Sequence, residues 1–301
     1  MPHYGHDLQF GTFITPVAQP AQHAVEMAIA SERAGLDLAT FQDHPYQPTF
    51  HDTWTLLSYV ASRTERIHLS GNVINLPLRQ PAVLARSAAS LDLLSGGRLE
   101  LGLGAGGFWD AIAAMGGRRL TPGQSIEALE EAITIIRDIW DADTRGGVRF
   151  NGEFYQVNGT KRGPKPAHDI GIWIGAYKPR ILKMTGRAAD GWLPSLGYLK
   201  GGLPELAEMN KHIDEGAEAA GREPAAIRRF LNINGQFLSS GRGFLQGPPK
   251  QWAEELASVA LEYGISGFIL AADDAGTIEL YGAEVAPATR ELFAAATAGT
   301  R

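Results

Sequence analysis

An eight-stranded (β/α)8 TIM barrel is the fold this sequence predicts, with a β-hairpin-containing insertion between its fourth helix and its fifth strand. Strand-like and helix-like runs alternate along the whole chain, which means parallel βαβ units. Eight such pairs in roughly 250 residues plus one insertion suit a closed barrel better than an open doubly wound sheet. The 36 glycines among 301 residues fit many tight turns between elements.

Taken in order, strand one (Leu8–Thr15) leads to a helix over Ala21–Ala34. Gly35 follows it, where a left-handed C-cap needs no Cβ. Strand two (Leu36–Gln42) leads to Thr53–Arg63, and strand three (Ile67–Ile74) to Ala82–Leu94. Strand four (Leu99–Gly104) alternates, so Leu99, Leu101 and Leu103 share one face and Gly102 and Gly104 the other. If the leucines meet the helices, the glycines leave a bare wall inside the barrel against which a flat ring can lie. The fourth helix, Pro122–Trp140, has Thr121 as N-cap, Pro122 in its first position and Gln124 to close a capping box. Ile126, Leu129, Ile133, Ile136 and Trp140 form its apolar stripe.

Residues 141–169 interrupt the alternation. Val148 to Tyr155 reads as a hairpin turning at Asn151-Gly152, followed by the basic stretch Lys161, Arg162 and Lys165. The rhythm then resumes with strand five (Ile170–Ala176) and helix Arg180–Ala189, and strand six (Gly191–Ser195) and helix Leu203–Ala220. Strand seven (Arg229–Phe237) precedes helix Pro249–Tyr263, which Gly264 caps. Strand eight (Gly267–Ala271) precedes helix Glu284–Ala296. One domain over 1–301 is expected.

Composition narrows the function. With 44% hydrophobic and 20% charged residues, the chain can bury a large core, and the net charge of −6 argues against nucleic acid as the main partner. The chain shows no apolar run of membrane-spanning length and no secretory leader. The lack of cysteine removes disulfides and thiolate chemistry and suits the cytoplasm. His3, His6, His23, His51, His68, His168 and His212 show no ligand spacing on a helix face, so no metal site is expected.

A barrel of this kind builds its site where strands end. Asp43-His44 after strand two sets an imidazole that exchanges protons near neutral pH beside a carboxylate. Asn72 and Val73 follow strand three. Gly104, Ala105 and Gly106 end strand four, with Asp110 six residues beyond Gly104. Gly175, Ala176 and Tyr177 end strand five, and Lys178 and Arg180 stand at the next helix start, where N–H groups and cations suit a phosphate. Each feature has a structural alternative. His44 can be a strand-end hydrogen bond, the glycines a tight turn, the cations a solvated helix start, and Asp110 an N-cap.

Several segments in order carry a resemblance: Gln42-Asp43-His44, Pro81 through Arg98, Leu101 through Gly106, Gly152 through Tyr155, Ile174-Gly175-Ala176, and Ala188 through Trp192. Together they resemble the luciferase-like flavin-dependent oxidoreductases, the bacterial luciferase superfamily. The resemblance implies a TIM barrel using coenzyme F420 (a deazaflavin) or FMN, with F420 favoured. It places the ring over strands three and four and the phosphate at the start of the fifth helix. Asp43-His44 resembles the deazaflavin-using branch, whose histidine works on a substrate hydroxyl or carbonyl. The chain departs from that branch's sugar-phosphate dehydrogenases: Gly107 stands where they have Glu and Pro48 where they have Trp. The expected reaction is hydride transfer with a small alcohol, carbonyl or enone, with His44 oriented by Asp43. The alternatives are an FMN monooxygenase using O2 and a partner flavin reductase, and a non-catalytic flavin-binding protein. A homo-oligomer is expected. The resemblance also implies a cis peptide between Asn72 and Val73, while Lys161, Arg162 and Lys165 would meet the polyanionic F420 tail if the insertion folds towards the site.

Overall fold

In the computed structural model, which describes residues 4–298, the register of the strands closes a cylinder. The barrel strands are Gln9–Ile14, Leu38–Phe41, His68–Gly71, Leu99–Gly104, Ile172–Ile174, Gly191–Trp192, Arg228–Ile233 and Gly267–Ala271. All pair in parallel, strand one with strand eight and strand three with strand four, so no edge is left open. Leu99, Leu101 and Leu103 are buried in the main core with the surrounding helices. Inside the barrel a smaller cluster of Leu38, Trp173, Leu193, Phe230 and Ile269 forms a plug, with Phe13 and Val73 packed on it.

Strand three breaks where the mouth begins. Ser70 pairs with Glu100 and Ile74 with Leu103, so strand three advances four residues while strand four advances three. The extra residue makes a bulge, and its Asn72–Val73 peptide is cis, as expected. The bare glycine wall is corrected here. A Cβ on Gly102 would lie 2.1 Å from the Gly71 carbonyl oxygen, and one on Gly104 would lie 2.7 Å from a Val73 methyl. The glycines therefore admit the bulge, and Val73 fills the space expected to stay open.

The helices follow their local chemistry. Thr121 and Gln124 form the reciprocal capping box of Pro122–Trp140, and Gly264 takes φ +67 behind Pro249–Tyr263. The last helix starts earlier than periodicity suggests. Asp274 caps Ala275–Leu280, which continues through a π-turn, Tyr281–Val285, into Ala286–Thr297. Gly276, Gly282 and Pro287 hide this helix in the sequence.

The insertion is a hairpin, Gly147–Asn151 with Gln156–Lys161, but its tip has four residues rather than an Asn-Gly pair. The Glu131 carboxylate sets that tip by accepting the N–H groups of Glu153, Phe154 and Tyr155. The basic stretch does not reach the mouth. Arg162 donates to the carbonyl of Asp138 and pairs with Asp141, and Lys165 pairs with Asp143. These partners lie at the far end of a 19-residue helix, about 28 Å from its start at 1.5 Å per residue. His3 lies outside the described residues.

Candidate active site

Loops after strands two to six meet around a cavity of 390 Å³ at the C-terminal mouth, a size that suits a small-molecule site. His44, Asp43, Asn72, Val73, Gly104, Ala105, Gly106, Gly175 and Tyr177 all line it. The expected wall is thus brought together from residues up to 134 positions apart in sequence, from Asp43 to Tyr177.

The His44 ring stacks on Tyr46 at 5.5 Å and meets the edge of Phe108 at 5.2 Å. No side chain or backbone group among the described residues hydrogen-bonds its nitrogens, so both are open to a ligand. Burial holds the imidazole below its usual range, although the Asp43 charge opposes this. A neutral imidazole facing a cavity can accept a proton or polarise a carbonyl.

Asp43 does not orient His44 through a hydrogen bond. Its buried carboxylate accepts the Asn75 N–H at 2.9 Å and two bonds from the Arg79 guanidinium at 3.1 Å. Arg79 also reaches Asp52 at 3.0 Å, the N-cap of the helix Thr53–Ala61. Asp43 therefore anchors the loop that carries His44 to strand three and to that helix, and the aromatic rings set the imidazole plane.

Four expected residues lie outside the cavity lining. Asp110 is almost wholly exposed and pairs with Arg119 on the short helix Trp109–Ala114, outside the cavity. Arg180 runs along Gly123 to an ion pair with Glu127 at 2.5 Å and is not among the cavity-lining residues. Ala176 is buried, and its carbonyl accepts the Trp192 indole N–H. Lys178 remains exposed at the N-cap of Pro179–Ala188 beside the free N–H groups of that helix start.

Sequence reading missed the polar bridge across the mouth. The Asn72 amide donates to Asn232 at 2.7 Å and to Thr40 at 3.2 Å, and the Asn232 amide donates to Ser195 at 3.2 Å. Asn72 and Asn232 are 160 residues apart, and no local pattern signals such a pair. Tyr46, Asn75, Phe108 and Tyr198 also line the cavity. Gly106 adopts φ +99, and a Cβ there would strike Trp109 and Pro77, so this turn requires glycine.

Comparison with known proteins agrees with the barrel fold. A family described as luciferase-like monooxygenase matches residues 7–234. An F420-dependent glucose-6-phosphate dehydrogenase of Amycolatopsis mediterranei is 32% identical over 216 residues, 69% of this chain and 63% of that protein. The chain thus spans less than two thirds of the length of this relative. An F420-dependent secondary alcohol dehydrogenase in complex with an F420-acetone adduct superposes with TM-score 0.81 at 18% identity, covering 94% of this chain and 99% of that one. The long-chain alkane monooxygenase LadA gives 0.79 at 15%, covering 95% and 91%. At these identities the two structures show a shared fold.

Proposed function

We propose that this chain, which belongs to the luciferase-like monooxygenase family, oxidises or reduces a small uncharged alcohol or carbonyl compound with coenzyme F420. The observation that carries this reading is the His44 ring, kept below its usual pKa and without a side-chain hydrogen bond among the described residues, in the cavity wall that also holds the Val73 bulge. F420-dependent relatives support the cofactor.

The residues fit a flat heteroaromatic ring with a phosphate. Asn75 Oδ1 is buried with no partner among the described residues, an acceptor that a ring N–H would satisfy. Val73 offers an apolar surface to one ring face, and Lys178 with the helix start Pro179–Ala188 suits the phosphate. When bound, the cofactor supplies or takes up the hydride. In the oxidative direction His44 accepts the hydroxyl proton as the carbinol C–H bond breaks, so a secondary alcohol becomes a ketone. The C–H electron pair and its hydrogen leave as hydride, and the second hydrogen leaves as the proton on His44.

The substrate carries no phosphate in this reading. Among the described residues no Lys or Arg lines the cavity, and Tyr46, Phe108 and Tyr198 give the wall an aromatic character. Gly107 and Pro48 point the same way. We also assign self-association to the exposed face shared by the helices Thr53–Ala61 and Pro81–Ser95.

Titrating the purified protein separately with F420 and FMN tests the reading. F420 bound at low micromolar concentration, followed by its reduction with a secondary alcohol, is the expected result. Tight FMN binding without F420 binding would overturn it in favour of a monooxygenase fed by a flavin reductase, which would use the same cavity.

A further inference from the structure

The opposite end of the barrel holds a group of ligand-bearing side chains that the proposed chemistry does not use. His68 opens strand three, Glu100 is the second residue of strand four, and His168 ends the insertion just before strand five. His68 Nδ1 and His168 Nε2 each lie 3.5 Å from Glu100 Oε1. One donor atom from each of the three residues lies within 4.8 Å of the others. A tetrahedral site with metal–ligand bonds near 2.0–2.1 Å separates its ligands by about 3.4 Å. Two edges therefore already match, and a turn of the half-exposed His68 ring closes the third.

The surrounding bonds fix which atoms face inward. His168 Nδ1 bonds Asp92 Oδ1 at 2.8 Å, and the fully buried Asp92 carboxylate also accepts the N–H groups of Leu99, Ala167 and His168. That carboxylate holds the ring with Nε2 towards Glu100. Glu100 Oε2 accepts the Gly171 N–H at 2.8 Å, which leaves Oε1 for a ligand. Outer carboxylates and backbone donors of this kind orient the ligands of built metal sites.

We propose that His68, Glu100 and His168 form a site for a divalent transition metal of the zinc type at the base of the barrel. Two imidazoles, which are borderline donors, outweigh one hard carboxylate and favour zinc, cobalt or nickel over magnesium or calcium. The partial exposure of His68 and His168 lets solvent complete a fourth position. The ion would join the starts of strands three and four to the end of the insertion, at the face of a barrel that serves stability rather than catalysis. Spacing on a helix face gave no sign of it, because the three ligands come from separate elements, and the proposal departs there from the sequence-based expectation of no metal site.

The test uses the full chain, stripped with EDTA and titrated with Zn2+, Co2+ and Mg2+ in a non-coordinating buffer. One Zn2+ per chain is expected by calorimetry, with visible absorption bands of a four-coordinate Co2+ complex and no heat from Mg2+. His68→Gln and His168→Gln should each weaken Zn2+ binding by at least about tenfold and abolish the Co2+ bands, while F420 binding is unchanged. Circular dichroism checks that both variants fold. His68 is the cleaner of the two, because His168 also bonds Asp92. Absence of Zn2+ binding to the wild type, or equal binding by wild type and a folded His68→Gln variant, would reduce the cluster to an ion-pair network and overturn the proposal.

Discussion

His44 lies between two opposed influences, burial lowering its pKa and the Asp43 charge raising it, and burial prevails. With the folded pKa below the ordinary value of 6.5, the neutral ring is the form that the proposed alcohol oxidation requires. The rate should be flat above that pKa and fall about tenfold per pH unit below it, because a protonated base accepts nothing. Stability has the same sign: between the two pKa values the unfolded chain binds the extra proton, so this contribution is lost as pH falls. His44→Ala should lower turnover by at least about 10²-fold and leave F420 affinity nearly unchanged. Normal turnover per folded molecule would make it a structural histidine. The position of His44 was legible, since strand ends define the mouth of a barrel. Its neighbours were not: Asp43 serves Arg79 and Asn75 rather than the imidazole, a distinction that depends on side-chain direction. The ion pairs of Asp110 and Arg180 were not legible for the same reason, because sequence places a residue at a helix start without saying which way it points.

At the scale of elements, a helix start and a hairpin tip carry the consequences. The Pro179–Ala188 N-terminus offers free N–H groups, and Lys178 is the cation beside them that has no ion pair among the described residues. Lys178→Ala should weaken F420 and FMN binding by about tenfold, the scale of one charge-assisted bond, and leave riboflavin binding unchanged. Arg180→Ala should change either by less, since its guanidinium is held by Glu127. Equal loss of riboflavin binding with Lys178→Ala would place the phosphate elsewhere. In the insertion, Glu131 accepts three N–H groups from the hairpin tip. Glu131→Ala leaves those donors to solvent and should expose residues 151–155 to limited proteolysis; an unchanged cleavage pattern would show the tip held by other contacts. Periodicity located these elements because each is a local pattern. It missed the four-residue tip and the early start of the last helix because a distant carboxylate sets the first and two glycines disguise the second.

Across the whole molecule, the barrel and its mouth were readable because eight βα repeats state the topology, whereas the Asn72–Asn232 bridge and the His68–Glu100–His168 cluster exist only once the cylinder closes. The proposed self-association belongs to this scale as well. Val83, Ser87, Ser90 and Leu94 recur at helical spacing and, with Trp54, Ser58, Ala61 and Ser62, line one shallow depression between two helices. Leu94 is 86% exposed and Val83 64%, unusual for large apolar side chains lying on one face. The serines and Ala61 between them keep the surface low enough for a second pair of helices to approach closely. Burying one such aliphatic side chain contributes about 1.5–3 kcal/mol, so an isologous contact that uses Leu94 and Val83 twice gains severalfold more. Light scattering at micromolar concentration should therefore give a multiple of the 32.4 kDa chain mass. Leu94→Lys sets a charge against its own symmetry mate and should shift the protein to monomer without unfolding it, because the side chain packs on little within its own chain. A wild-type monomer at all concentrations, or an oligomer that Leu94→Lys leaves intact, would show that this face is not the contact.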